Sequence, residues 1–239
     1  MHSIELAQHL IKSPSTHGRP HAMDDVVALV EVYMTRPDLT ICKYEFSDYP
    51  SIVISNTEDY EVDIILSGHL DVVDAQPEQF TPTITDGWLY GRGAMDMKTP
   101  VAVMMNTFLA QYKTGPKMAL LLTTDEEIGG FRGTKELLDT AGYRSRVAFV
   151  PDGGYRHNQI ALKEKGVIRL HIAVEGVSAH SSRPWQGDNA IFRLMELTRD
   201  IEAYHQRLKA EATDDEWYTT INLSQVAGGE AMNTVPEHA

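Results

Sequence analysis

Cysteine is nearly absent from this chain: its 239 residues contain one, Cys42. That excludes an internal disulfide and any metal site built on several thiolates, and it suits a reducing compartment such as the cytoplasm. Positive charge is scarce as well. Lys and Arg number 21 against 34 Asp and Glu, a net charge of −13. With no basic excess to neutralise phosphates, nucleic acid is not expected as a partner. No apolar run approaches the roughly 18–20 residues of a membrane span, so a membrane is not expected either. The first residues, MHSIELAQHLIKS, lack the basic start and apolar core of a secretory signal. They read as an amphipathic helix with Ile4, Leu6, Leu10 and Ile11 broadly on one face. What is present, 42% hydrophobic and 23% charged residues, is the balance of a globular protein large enough to bury a substantial core.

Periodicity gives the architecture. Residues 23–35 (MDDVVALVEVYMT) carry Val26, Leu29, Val30 and Tyr33 at helical spacing. PVAVMMNTFLAQYK (100–113) is a second helix with Pro100 tolerated in its first turn, and GTKELLDTAG (133–142) a third, stopped by Gly142. Short strands are expected at 40–46 and 51–56, and apolar interior strands at VDIILSG (62–68), KMALLLTT (117–124) and VAFVPD (147–152). Apolar strands alternating with helices predict an α/β fold, a mostly parallel sheet with helices on both faces. After about residue 160 the pattern changes. VIRLHIAVEG (167–176) alternates like a half-exposed strand, a long helix spans roughly 188–208, and TTINLSQVAGG reads as a further strand.

In parallel sheets ligands bind beyond the carboxyl ends of the strands. Here each interior strand ends in chemistry-bearing residues: His69 and Asp71, then Glu126 and Glu127, then Asp152. A lone His-x-Asp is a weak signal, since most such histidines are structural. Asp96, in GRGAMDMKT (91–99), could equally serve the start of the following helix. Adjacent glutamates after a buried run are harder to dismiss, because packing like charges there costs energy unless a cation compensates. Together these acids and one histidine favour a metal site with nitrogen and oxygen donors, suited to Zn and also to Mn or Co.

The ordered motifs SGHLDVV, GRGAMDMK, TTDEEIGG, PDGG and GVSAHSSRPWQGDNAI, with GGEAMNTVP near the end, resemble the di-zinc aminoacylase/carboxypeptidase family. That family includes acetylornithine deacetylases, succinyl-diaminopimelate desuccinylases, glutamate carboxypeptidases and di- and tripeptidases. The resemblance implies that residues 1–162 form the N-terminal part of a zinc-hydrolase catalytic domain and 163–239 a partial ferredoxin-like lid and dimerisation domain. It implies His69 and Asp152 as ligands of one zinc, Asp96 as a bridge with a cis peptide to Met97, and Glu127 as ligand of the second zinc. Asp71 would support His69, and Glu126 would be the general base. His180 would steady the tetrahedral intermediate in a partner's active site, and Asn233 would bind substrate. The implied reaction is amide hydrolysis of N-acyl amino acids or short peptides by a homodimer.

Members of that family are longer and supply a last zinc-binding histidine after the lid; His238 stands in the wrong place for it. A truncated chain, a natural short form with a weak second metal site, and a degenerate non-catalytic dimerisation or binding module all fit, and the intact motifs favour truncation. Asp125 receives no role. His17, His21 and His157 lie outside every motif and are expected on the surface.

Overall fold

The strand Met118–Thr123 is buried at all six positions, and the first part of the protein is organised around it. The computed structural model describes residues 1–152, 159–214 and 217–239, in two units, Met1–Gln159 and Ile160–Ala239. In chain order the first unit contains α1 (Ser3–Ile11), α2 (Pro20–Met34), β1 (Thr40–Phe46), β2 (Tyr49–Ser55) and β3 (Glu61–His69). It continues with β4 (Thr83–Thr85), β5 (Trp88–Tyr90), α3 (Lys98–Gln111), β6 (Met118–Thr123), α4 (Thr134–Asp139) and β7 (Arg144–Phe149).

The five-stranded sheet has the order β1-β2-β6-β3-β7. β3 runs parallel to both β6 and β7, whereas β1 and β2 join antiparallel on the far side of β6. The parallel trio matters for function, because its three carboxyl ends emerge on one side. Side-chain alternation divides the core between the faces. Ile52, Ile54, Leu120 and Leu122 meet Leu6 and Leu10 of α1, Val26 and Val30 of α2, and Val101, Met105 and Phe108 of α3. On the opposite face Val53, Val62, Ile65, Ala119 and Leu121 pack with Leu137 of α4 and with Tyr143. Helices therefore cover both faces, as the apolar runs imply. The third strand, expected inside the sheet, is instead an edge strand among the described residues: β7 pairs with β3, its residues are mostly exposed, and it ends at Phe149, leaving Val150, Pro151 and Asp152 beyond it.

Two close approaches fix the lower end of α3 against β3. Gly68 has no room for a side chain; a Cβ there would lie 2.7 Å from Met104 Cε and 3.0 Å from Met97 Cε. Gly93, at φ +81°, would place a Cβ 2.9 Å from Val72 and 3.1 Å from Lys98 Cδ. Lys98 itself is fully buried, and its Nζ donates to the carbonyls of Leu10 (3.0 Å) and Ser13 (2.6 Å) at the end of α1. Carbonyls at a helix C-terminus are left without helical partners, so a cation there is favourable. Burial pushes the Lys98 ammonium down to about 7, with nearby Asp71 opposing. The Asp96–Met97 peptide is cis.

The second unit contains β8 (Ala179–His180), the 21-residue α5 (Ala190–Ala210) and β9 (Thr234–Val235). The Asn189 side chain caps α5, accepting from the amides of Ile191 and Phe192. β8 and β9 pair antiparallel. The alternating segment 167–176 does not form the strand its pattern suggests; only Glu175 makes an isolated bridge, to His238. Val167 and Leu170 stay about four-fifths exposed, at 81% and 80%. Alternation specifies which side wants burial, but a strand also needs a neighbour along its length; Val174 and Gly176 bond the backbone of Ala239 and Glu237, and among the described residues this pairing does not continue to 167–173. The expected strand at 219–229 is likewise irregular.

Candidate metal centre and active site

The ladder between β3 and β6 sets His69 opposite Thr123, and the amide of Leu70 then bonds the Thr123 carbonyl at 2.7 Å. The chain emerging from β3 is thereby held beside the chain emerging from β6. His69 is 1% exposed and Asp71 fully buried. His69 Nδ1 lies 3.0 Å from the Asp71 carbonyl and 3.4 Å from Asp71 Oδ1. A carbonyl only accepts, so Nδ1 carries a proton, and the lone pair of the neutral ring is left on Nε2. That nitrogen faces Asp96 Oδ1 at 2.9 Å, with Glu126 Oε2 and Asp152 Oδ1 each at 3.8 Å. Asp96 comes from the turn before α3, Glu126 from the 3₁₀ turn after β6, and Asp152 from beyond β7.

Asp71 organises the second layer. Its Oδ1 accepts from the Glu126 amide (3.3 Å) and its Oδ2 from the Glu127 amide (3.0 Å). One buried carboxylate thus aligns both glutamates and the histidine ring. Two triads have donor atoms within 4.8 Å of one another: His69, Asp96 and Glu127, and His69, Glu126 and Asp152. All the first-unit residues singled out from sequence are therefore brought together.

The electrostatics ask for a cation. Burial raises the carboxyl of Glu126, with His69 opposing and Asp152 adding to the rise; burial and then Asp96 raise that of Glu127. Burial disfavours a charged His69 ring, yet hydrogen bonding to Asp152 and Asp71 outweighs it and lifts its pKa to about 11. Asp96 is nevertheless the closest carboxylate to Nε2. A proton on Nε2 thus answers the negative charge that a divalent ion would answer more fully. One imidazole nitrogen with four carboxylates fits zinc, cobalt or manganese.

An open cavity of about 490 Å³ adjoins these groups, its lining including His69, Glu126 and Asp152 together with Phe131, Lys135 and Leu138. It is large enough for a small organic substrate.

In the second unit, Ser181 donates its amide to the Asn233 carbonyl at 2.9 Å, and β9 begins one residue after Asn233. His180 and Asn233, far apart in sequence, sit at one end of the β8–β9 pair, both exposed. The amide of Ser182 donates to His180 Nδ1 at 3.1 Å. An amide can only donate, so Nδ1 is the acceptor and the neutral ring carries its proton on Nε2.

Three residues were not legible as participants. Asp125 is fully buried, and its Oδ2 accepts from the amides of Arg132 (2.7 Å) and Gly133 (2.9 Å), closing the loop that carries the glutamates. Lys98 gave no sign that it would be buried. His17, expected on the surface, is three-quarters covered, its side chain 25% exposed, with Nε2 3.2 Å from Asp71 Oδ2. His21 is exposed as expected, and His157 lies outside the described residues.

Comparison with known proteins places this fold. Residues 65–237 match the model of peptidase family M20/M25/M40, and the chain belongs to that family. It is 31% identical over 180 residues to an acetylornithine deacetylase of Myxococcus xanthus, covering 72% of this chain and 46% of that protein. The chain thus spans about half the length of this curated relative. Its fold is similar to an M20 metallo-carboxypeptidase of Sulfolobus solfataricus (TM-score 0.64, 15% identity, covering 100% of this chain and 69% of the other). A tripeptidase of Staphylococcus aureus is comparable (TM-score 0.62, 19% identity, 99% and 63%). Among the described residues no helix is long and apolar enough to cross a membrane.

Proposed function

We propose that the chain carries the metal centre of an amide hydrolase acting on small N-acyl amino acids or short peptides. The observation that carries this reading is the convergence of Asp96, Glu126, Glu127 and Asp152 on the inward nitrogen of one buried histidine. His69 and Asp152 would hold one ion, Glu127 a second, with Asp96 between them; zinc is the first choice, cobalt or manganese the alternatives. When bound, such ions polarise an amide carbonyl and make water acidic enough to react near neutral pH.

The chain's own residues perform the proton work. Glu126 is half exposed toward the cavity, and the bond from its amide to Asp71 fixes its backbone. It takes a proton from the attacking water and returns it to the leaving amine; a carboxyl raised by burial suits both steps. Asp71 keeps the His69 lone pair turned inward. His180, with its proton on Nε2, is the donor for the developing oxyanion in a partner copy's active site, and Asn233 beside it a substrate contact. The division of labour is a catalytic first unit and a lid-like second unit that pairs two copies, in a cytoplasmic protein.

The test is metal analysis of protein purified without chelator, joined to hydrolysis assays on N-acetyl amino acids and di- and tripeptides. Bound zinc, cobalt or manganese with amide cleavage supports the reading. Absence of all three, with no uptake from micromolar zinc, defeats it.

A further inference from the structure

Asp71 has a partner from outside the three strand ends. We infer that His17 is a positioning residue for the metal centre, holding the Asp71 carboxylate from the side opposite His69; this rests on the metal-centre reading above.

The approach is built by the backbone. Ser15 brackets Asp71, its Oγ donating to the Leu70 carbonyl at 2.6 Å and its carbonyl accepting from the Val72 amide at 3.0 Å. Lys98 Nζ fastens Ser13 in the same loop. Two residues beyond Ser15, His17 Nε2 stands 3.2 Å from Asp71 Oδ2, the oxygen that also accepts from the Glu127 amide. The Tyr49 ring packs on His17 at 5.7 Å between centroids, and the Arg132 guanidinium lies 5.2 Å over Tyr49. The imidazole is thus confined.

Both His17 ring nitrogens lack an aligned hydrogen bond among the described residues. The link to Asp71 is one of proximity, which suits a carboxylate whose other partners are already in place. A fully buried carboxylate is costly unless its oxygens are engaged on all sides. His69 and the Glu126 amide engage Oδ1; the Glu127 amide and His17 engage Oδ2. Without His17, Oδ2 has one partner fewer, and Asp71 is freer to turn away from the amide that orients Glu127. The residue acts through Asp71 and touches neither metal nor substrate.

The test has two parts. In metal-free protein, amide hydrogen exchange is read at Glu126 and Glu127 and, for comparison, at Leu121 in β6. His17→Ala is expected to speed exchange at the two glutamates about tenfold, leaving Leu121 unchanged. His17→Gln, which can place a side-chain N–H near the Nε2 position, is expected to restore protection. With zinc added under chelator competition, His17→Ala is expected to bind about 10–100-fold more weakly, the usual cost of losing an outer partner. Wild-type exchange in His17→Ala, equal acceleration at all three amides, or a Gln variant as fast as Ala would each overturn the inference; should Ala fail to fold, the Gln variant alone decides by the same comparison. The exchange experiment contains no metal, so a wild-type protein that binds no zinc counts against the proposed function and leaves the His17 result standing.

Discussion

His69 and Asp71 are linked twice, through the Asp71 carbonyl at 3.0 Å from Nδ1 and through its carboxylate at 3.4 Å. The carbonyl fixes which nitrogen carries the proton, and the carboxylate ties the ring to the loop bearing Glu126 and Glu127. Asp71→Asn separates these roles. The carbonyl bond survives, while the amide side chain cannot accept from both glutamate N–H groups and charge support for the ring is lost. Zinc affinity is expected to fall about 10–100-fold. Stability is expected to fall by about 1–3 kcal/mol, the cost of leaving buried groups unsatisfied. Chelator competition and denaturant unfolding of metal-free protein check the two effects separately.

Glu126→Gln keeps side-chain size and the amide bond to Asp71 but removes the proton acceptor. Turnover is expected to drop by about 10²–10⁴-fold, the range for a lost general base. Metal content should stay at the wild-type level, because Glu127, Asp96, Asp152 and His69 remain. A variant that loses metal as well as activity would place Glu126 among the ligands, an assignment its place in the second triad makes worth testing.

Asp125→Ala addresses the loop itself. The carboxylate holds the amides of Arg132 and Gly133, and a Cβ on Gly133 would fall 2.2 Å from Asp125 Oδ1. Removing the carboxylate is expected to cost about 1–3 kcal/mol. Turnover should fall as the segment after β6 loosens, with zinc affinity less affected than in Asp71→Asn. Comparison of unfolding midpoints, zinc affinity and turnover across the two variants measures this.

How much of this was legible in sequence follows from what each signal encodes. The strands β3 and β6 announced themselves through apolar runs, and the acids that follow them marked the candidate site; the third run, around β7, proved an edge strand among the described residues. The antiparallel arrival of β1 and β2 was not legible, since strand direction depends on how connections cross the sheet. Asp125, Lys98 and His17 were missed for a related reason. Each acts through backbone groups or through a carboxylate distant in sequence, and nothing in a residue's neighbours reports that it will be buried against them. The segment 167–176 is the converse: a clear local pattern of which only the end, from Val174 to Gly176, finds backbone partners among the described residues.

Gly68→Ala probes a close approach between fold and site. The added Cβ meets the ends of two methionine side chains, Met104 Cε at 2.7 Å and Met97 Cε at 3.0 Å. Such ends are flexible, so the stability loss is expected toward the low side of overpacking, about 1 kcal/mol. The effect on the site should be larger than that figure suggests. Met97 Sδ lies 3.2 Å from the His69 amide, and Met97 directly follows Asp96. When Met97 yields, Asp96 is displaced relative to His69 Nε2. Zinc affinity is therefore expected to fall by at least tenfold while the unfolding midpoint moves little. An unchanged affinity would mean that the turn before α3 absorbs the shift and that Gly68 serves packing alone.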